Sequence, residues 1–414
     1  MGGLLDALRT GAWLTQQRLR LYPLTLIVIY AAVVIIALLS ATGPMDPLRR
    51  PLGTDFSQVW AAGVSVLAGH PEQPFDPALH AAAQRALFAP DTPFYGWHYP
   101  PYFLAVAAVL ALLPYVPALL AWQAASFAGY LLVMRRILPH PLTLLLAAAF
   151  PAVLVNLGHG HNGFLTAGLL GGGLLVLQRR PVLAGVLLGL LAYKPQFGIV
   201  IPVALIAGQR WAATASAAAT VVLMTLGTLL AFGAGTWRAF QSSLPFTRTV
   251  VLEAGATGWE KIQSAFSAAR ALGAGVGTAY AIQGALTAGV VLALAWLWRG
   301  PADQRLKSAA LIVGALLSTP YVLDYDMVVL APALAFAVSW ELERGFRPWM
   351  ASLLAAVWIV PVLTRSVAAF TLVPLGLVAM LAFFMAILRA ARAASGPVRL
   401  QTLQVSPAGT HPQA

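Results

Sequence analysis

Long apolar runs recur along the whole chain, and many of them close on arginines. A hydrocarbon core takes about 20 helical residues to cross. The run Leu24 to Leu39 is the first of many that reach or nearly reach that length. Composition agrees: 60% of the residues are hydrophobic and 9% are charged, where a soluble chain carries about a quarter charged. The class is therefore an all-α integral membrane protein. Arg9, Arg18 and Arg20 precede the first run, and Gly43-Pro44-Met45-Asp46 follows it in place of a small-residue cleavage site. It reads as a retained span and not as a signal peptide. The chain has no cysteine, which excludes disulfides, thiolate nucleophiles and zinc-thiolate sites.

A net charge of +12 invites a nucleic-acid reading, but the positions of the charges argue against it. Arg135-Arg136, Arg179-Arg180, Arg210, Arg299 with Arg305 and Lys307, Arg344 with Arg347, and Arg389 with Arg392 all sit at the ends of apolar runs. Basic residues there mark the cytoplasmic side, and no DNA-binding motif is present. With the amino end inside, every cluster falls inside provided that Pro100 to Pro114 dips into the membrane and returns. Prolines 100, 101, 114 and 117 suit such a broken segment. Further spans are expected near 117–134, 141–157, 162–178, 181–193, 195–208, 211–232, 278–298, 307–319, 322–340, 349–363 and 366–388. That gives about twelve crossings. One polytopic domain covers 1–393, with outer loops at 42–100 and 233–277 and a disordered cytoplasmic tail at 394–414. Two amphipathic helices, Ser57–Ala68 and Pro77–Phe88, are expected at the interface in the first loop.

This arrangement gathers the polar chemistry opposite the arginines. Asp55 could serve as a general base on an acceptor hydroxyl, or as a helix cap ahead of Phe56-Ser57-Gln58. Lys194, a lone cation between apolar runs, suits a lipid phosphate or a snorkelling anchor. His159 and His161, with Asn162 beside them, suit hydrogen bonds to phosphate or sugar oxygens. A metal site would need further ligands from His98, Asp324 or Asp326. Those two aspartates could equally bind sugar hydroxyls, pair with Lys194, Lys261 or Arg248, or cap a helix. Trp97, Tyr99, Trp237 and Trp259 could stack on a sugar, although interface anchoring is the commoner use of such residues.

Gly53-Thr54-Asp55-Phe56 with Trp60-Ala61-Ala62-Gly63, then His98-Tyr99-Pro100-Pro101, resembles the opening of the family 87 glycosyltransferases. Gly160-His161-Asn162-Gly163, Lys194-Pro195-Gln196, Lys261-Ile262-Gln263-Ser264 and Tyr321 to Asp326 continue the likeness in order, from about Gly53 to Pro332. The resemblance implies a GT-C bundle that uses polyprenyl-phosphate sugars on the extracytoplasmic face, with Asp55 as the catalytic base. His161 departs from the glutamine common in relatives, which bears on the choice of donor or acceptor.

The expectation is an inverting transferase, with mannose the favoured sugar and a lipid or glycan as acceptor. Lys194, His159, His161 and Lys261 are the candidates for the donor phosphate. His98, Tyr99, Asn162, Gln196, Asp324 and Asp326 are the candidates for the rest of the substrates. No cofactor is required and a divalent metal is not expected; the partners are donor, acceptor and membrane lipids, with no nucleic acid. A monomer in a bacterial inner membrane is expected, its site facing out. The competing class is a lipid or sugar transporter, but transporters usually bind at the midplane between repeats, and here the polar residues favour one face with no repeat evident.

Overall fold

The computed structural model describes residues 2–394, so the expected tail lies outside the described residues except for Ala394. The short α1 (Gly2–Thr10) leads into the long apolar α2 (Arg18–Leu39). The first loop holds α3 (Thr54–Leu67) and α4 (Pro77–Leu87), and α5 (Tyr102–Leu110) follows. After the long α6 (Tyr115–Ile137) come five short helices: α7 (Thr143–Ala148), α8 (Pro151–His159), α9 (Gly163–Val176), α10 (Pro181–Leu190) and α11 (Ile201–Ala207). The chain continues with α12 (Trp211–Phe246), α13 (Ala265–Ala271), α14 (Val276–Arg299), α15 (Gln304–Leu317), α16 (Leu330–Arg344), α17 (Met350–Thr371) and α18 (Leu375–Ala394). No strand occurs among the described residues.

Seven helices among the described residues are long and apolar enough to cross a membrane: α2, α6, α12, α14, α16 with the turn before it, α17 and α18. The expected count of about twelve is therefore not supported. Proline and glycine break the other runs. The expected span 141–157 splits ahead of Pro151, and the pair 181–193 and 195–208 is short and separated by the Lys194-Pro195 corner. At 1.5 Å per residue, the 14-residue α9 and α15 reach only about 21 Å, well under the ~30 Å core. Such pieces are stable where protein surrounds them. Every residue of α15 from Leu306 to Leu317 is buried, and 78% of the apolar window on α16 is buried. The corresponding windows on α2 and α12 are buried to only 11% and 6%. The core is thus α15 and α16, packed against α9 and α18, and α2 and α12 form the rim.

The nine-residue α5 spans only about 14 Å and pairs with α3, so it is too short to cross, in line with the dip expected at Pro100 to Pro114. A Cβ on Gly63 would sit 2.0 Å from the Ala107 carbonyl oxygen, which shows how closely the two backbones meet. The expected interfacial α3 is largely buried by this packing. The backbone leaves the helical conformation at Gly233 (φ 77°, ψ 165°), where the span was expected to end, and a second helical segment then runs as far as Phe246 in place of the expected loop. Trp237, Phe240 and Phe246 then pack on Tyr102, Phe75 and Phe94 of the first outer region. The last hairpin turns at Leu372–Pro374, so Arg365 lies inside α17 and not at a turn.

The arginine ends converge as the charge rule requires. Arg210 donates to Gln304, Arg305 pairs with Asp303 and Glu343, and Arg347 pairs with Glu341. These contacts join the start of α12, the α14–α15 connection and the end of α16. The two ends of the bundle should label oppositely. In an otherwise cysteine-free chain, Ala256→Cys should react with an impermeant thiol reagent in intact cells and Gln178→Cys should not; both positions are exposed. Labelling of both, or of Gln178→Cys alone, would overturn the orientation.

Candidate functional site

Two glycines bring the first loop to the end of α8. Gly53 is the left-handed residue ahead of α3 (φ 63°), and Gly160 is the left-handed cap of α8 (φ 63°). A Cβ on Gly53 would lie 3.4 Å from the Gly160 Cα, and one on Gly160 would lie 2.7 Å from the Phe56 Cβ. Only residues lacking a Cβ allow this approach at positive φ. It places Asp55, in the first turn of α3, beside His159: Asp55 Oδ2 and His159 Nδ1 are 3.8 Å apart, and Thr54 Oγ1 is 2.9 Å from the same nitrogen. Gly53 holds the N-cap position of α3 and Asp55 lies in its first turn, so the carboxylate does not occupy the cap.

Behind this pair is a column of rings. Tyr325 hydrogen-bonds Asp55 through its side chain, meets the His159 ring edge-on at 5.4 Å and stacks on His161 at 3.7 Å. The far side of His161 meets the Tyr99 hydroxyl, 3.1 Å from Nε2. Lys194 closes the base of the column. Its ammonium donates to Asp326 Oδ1 at 2.5 Å and to Asn162 Oδ1 at 3.0 Å, and it lies 5.8 Å from the Tyr325 ring. Both ions are almost fully enclosed, with side-chain exposures of 4% and 0%. A charge in such surroundings must be paired, so Asp326 balances the Lys194 cation.

Lys261 is different. Its ammonium makes no hydrogen bond or ion pair among the described residues, yet its charge is the strongest favourable one acting on Asp55, ahead of Lys194. The Asp55 side chain keeps 22% exposure, but the protein packed around it removes enough water to push its pKa up to about 7. Lys261, Lys194 and the Tyr325 hydrogen bond pull the value down, and Asp326 adds to the rise. Asp324 accepts from the Tyr325 amide at 2.9 Å and lies 3.9 Å from Arg365.

The structure thus brings Asp55, His159, His161, Tyr99, Asn162, Lys194, Asp324 and Asp326 together, with Lys261 in electrostatic reach. His98 stands to one side: its Nδ1 is 2.8 Å from Thr247 Oγ1, which ties the first outer loop to the segment after α12, and burial lowers its pKa to about 4. Gln196 sits half-buried on a turn and makes no hydrogen bond among the described residues. Trp97 is a buried core ring against Phe75, Tyr99 and Phe103, and Trp259 stacks under Arg270. Among the described residues no three His, Asp or Glu side chains form a cluster that could hold a metal ion.

A model of glycosyltransferase family 87 matches residues 97–323, more than half of the chain. The chain belongs to glycosyltransferase family 87. No curated protein and no solved structure matches it. The match holds the segments that carry His98, His161, Lys194 and Lys261. Asp55 precedes it and Asp324 and Asp326 follow it, and the contacts above join these flanking residues to the matched core.

Sequence reasoning missed several members of this candidate site. Asn156 donates to the His161 carbonyl at 3.1 Å and accepts from the Gly163 amide at 3.0 Å, holding the histidine loop. Gln123 donates to the Leu157 carbonyl at 3.2 Å, and the Tyr193 and Thr166 hydroxyls are 2.6 Å apart. The available signal was a lone amide within an apolar run, which in a membrane seldom lacks a purpose. Two polar atoms in the site, His161 Nδ1 and Asn162 Nδ2, are buried without a partner.

Removing Lys194 should expose the cost of its partner. Lys194→Met leaves Asp326 buried and unpaired and should destabilise the fold by about 3–5 kcal/mol. Lys194→Met/Asp326→Asn removes the orphaned charge yet keeps an acceptor for the Leu323 amide, and should recover part of that loss. Thermal unfolding in detergent measures both; equal stability of the single variant and the parent would show that the pair is dispensable.

Proposed function

We propose that this family 87 member is an inverting sugar transferase that uses a polyprenyl-phosphate donor, with mannose the favoured sugar and a lipid or glycan hydroxyl as acceptor. The observation that carries the reading is the Asp55 carboxylate, raised to about 7 and flanked by His159, Tyr325 and Lys261. A general base works best with a pKa near the working pH, and an aspartate reaches that range only through surroundings of this kind. The acceptor oxygen attacks the anomeric carbon while its proton passes to Asp55. The bond from that carbon to the phosphate oxygen breaks on the opposite face, and the electron pair leaves with the lipid phosphate. His159 and Lys261 stabilise the charge that develops there. Asp324, Asn162 and His161 offer polar groups to the sugar, and the arginine distribution supports the reading that this end of the bundle faces the extracytoplasmic side.

Asp55→Asn keeps the shape of the side chain but takes no proton, so turnover should fall by about 10²–10⁴-fold while donor binding persists. Transfer of radiolabelled sugar from a panel of polyprenyl-phosphate sugars, with donor binding measured on the same preparation, is the assay. Near-normal turnover would remove Asp55 from the chemistry, and no transfer by the parent protein from any donor would sink the donor assignment.

The pH dependence has a definite sign. Asp55 must be ionised to act, so the rate should climb as pH rises through about 7. Tyr325→Phe removes a hydrogen bond that lowers this pKa, and should move the acid limb to higher pH. Stability runs the other way. The folded pKa lies above the unfolded value, so the folded chain holds the extra proton between about 4 and 7 and loses stability as pH rises across that window. Asp55→Asn should therefore unfold at the same or a higher temperature than the parent at pH 8. An unmoved acid limb in Tyr325→Phe would separate that hydroxyl from the base.

A further inference from the structure

At the arginine-rich end of the bundle the charges do not balance. Asp303, Glu341 and Glu343, on the α14–α15 connection and the end of α16, are committed to Arg305, Arg344 and Arg347. Arg210 and Lys307, in the same junction, are left without an acid. Arg210 precedes α12 and is in no ion pair among the described residues. Its guanidinium gives one hydrogen bond, from Nη2 to Gln304 Oε1 at 3.3 Å, and its Nε is buried without a partner. Lys307 is only 9% exposed, and its ammonium donates to the Trp298 and Gly300 carbonyls at 3.2 and 2.7 Å.

Those carbonyls close the end of α14 and occupy two of the three hydrogens of the ammonium. A helix C-terminus carries only about half an elementary charge, so capping α14 balances part of the Lys307 charge and not all of it. Gln304, Lys307 and Ser308 share one face of α15, being three and four residues apart. Gln304 donates to Ser308 at 3.4 Å and accepts from Arg210, which draws the guanidinium over the turn that carries Lys307. The Arg210 charge acts on Lys307, and no carboxylate does. Two cations in a half-buried corner repel one another, and the groups left free, Arg210 Nε and the third hydrogen of Lys307, are donors. The corner lacks an anion.

It lies at the edge of the bundle. A Cβ on Gly208 would be 2.8 Å from the Trp298 ring, so the turn that carries Arg210 sits directly on the end of α14. Around it Trp211, Ile206 and Trp296 are 61%, 48% and 47% exposed, and only 6% of the apolar window on α12 is buried. Apolar surface of this kind faces lipid, with its tryptophans at the level of the headgroups.

We propose that Arg210 and Lys307 bind the phosphate of an anionic phospholipid, at the end of the bundle opposite Asp55. Basic pockets between spanning helices hold such headgroups. The forked donors of Arg210 suit two phosphate oxygens, and Lys307 adds a point charge behind them. The exposed face of α12 gives the acyl chains a wall. The bound lipid ties the rim helix α12 to the core helix α15, and the assignment holds whatever the chain transfers.

The test is lipid retention by the full-length protein, read by native mass spectrometry after equilibration with phosphatidylglycerol and phosphatidylcholine of equal chain length. The parent protein should hold phosphatidylglycerol about tenfold more tightly. Arg210→Gln should abolish that preference and leave phosphatidylcholine unchanged, and Arg210→Lys should recover part of it. Lys307→Met should weaken phosphatidylglycerol likewise; because Lys307 also caps α14, the Arg210 variants decide the matter if this one does not fold. Arg136→Gln removes an equal charge from the exposed end of α6 and should change nothing. Equal retention of both lipids by the parent, full retention of phosphatidylglycerol by Arg210→Gln, or an equal loss in Arg136→Gln would each overturn the site. Displacement of phosphatidylglycerol by inorganic phosphate would make a free anion the occupant and overturn the lipid.

Discussion

The buried ion pair between Lys194 and Asp326 is the interaction around which the polar end of this bundle is organised. An unpaired charge in an apolar interior costs several kcal/mol, so neither residue can be placed without the other. Lys194 comes from the corner between two short helices and Asp326 from the turn that leads into α16. Asn162 adds a third segment through its own bond to the ammonium. Asp326 also accepts from the Leu323 amide, so the pair sets the backbone of the turn that carries Tyr325. Once that turn is fixed, the Tyr325 ring has a defined place between His159 and His161. The neighbourhood of Asp55 is a consequence of charge pairing several residues away.

The first outer region is held against this core by contact rather than by covalent closeness. Its glycines let backbones meet where side chains would collide, and Tyr115 donates to the Leu52 carbonyl at 2.5 Å. The extension of α12 past Gly233 covers it from the other side with three aromatic rings. In a chain without cysteine, interdigitated rings and backbone approach do what crosslinks do elsewhere.

Much of this was legible in the residues. The apolar runs gave the class, and the two first-loop helices lie within a few residues of their expected positions. The segregation of Asp55, Lys194 and the histidines from the arginine clusters foretold one polar end. What could not be read was how many runs cross. A proline or glycine in an apolar run either breaks a helix, as before Pro151 and at Gly233, or is absorbed, as at Pro361, and tertiary packing decides which. Lys194 shows the same limit at a single residue. The residues show a costly lone cation and two acids, Asp324 and Asp326, that could neutralise it, and only the fold selects Asp326. Tyr325 and Arg365 escaped notice because an aromatic or an arginine near a membrane edge is usually an anchor.

The buried position of α15 bears on what the bilayer demands of the bundle. A helix that touches lipid must match the thickness of the hydrocarbon or tilt, and mismatch costs energy for each ångström. That demand falls on α2, α12 and the other peripheral helices. The 14-residue α15 meets protein along its buried length and is free of the demand. The middle of the molecule can therefore be thinner than its perimeter, and only the perimeter has to fit the bilayer.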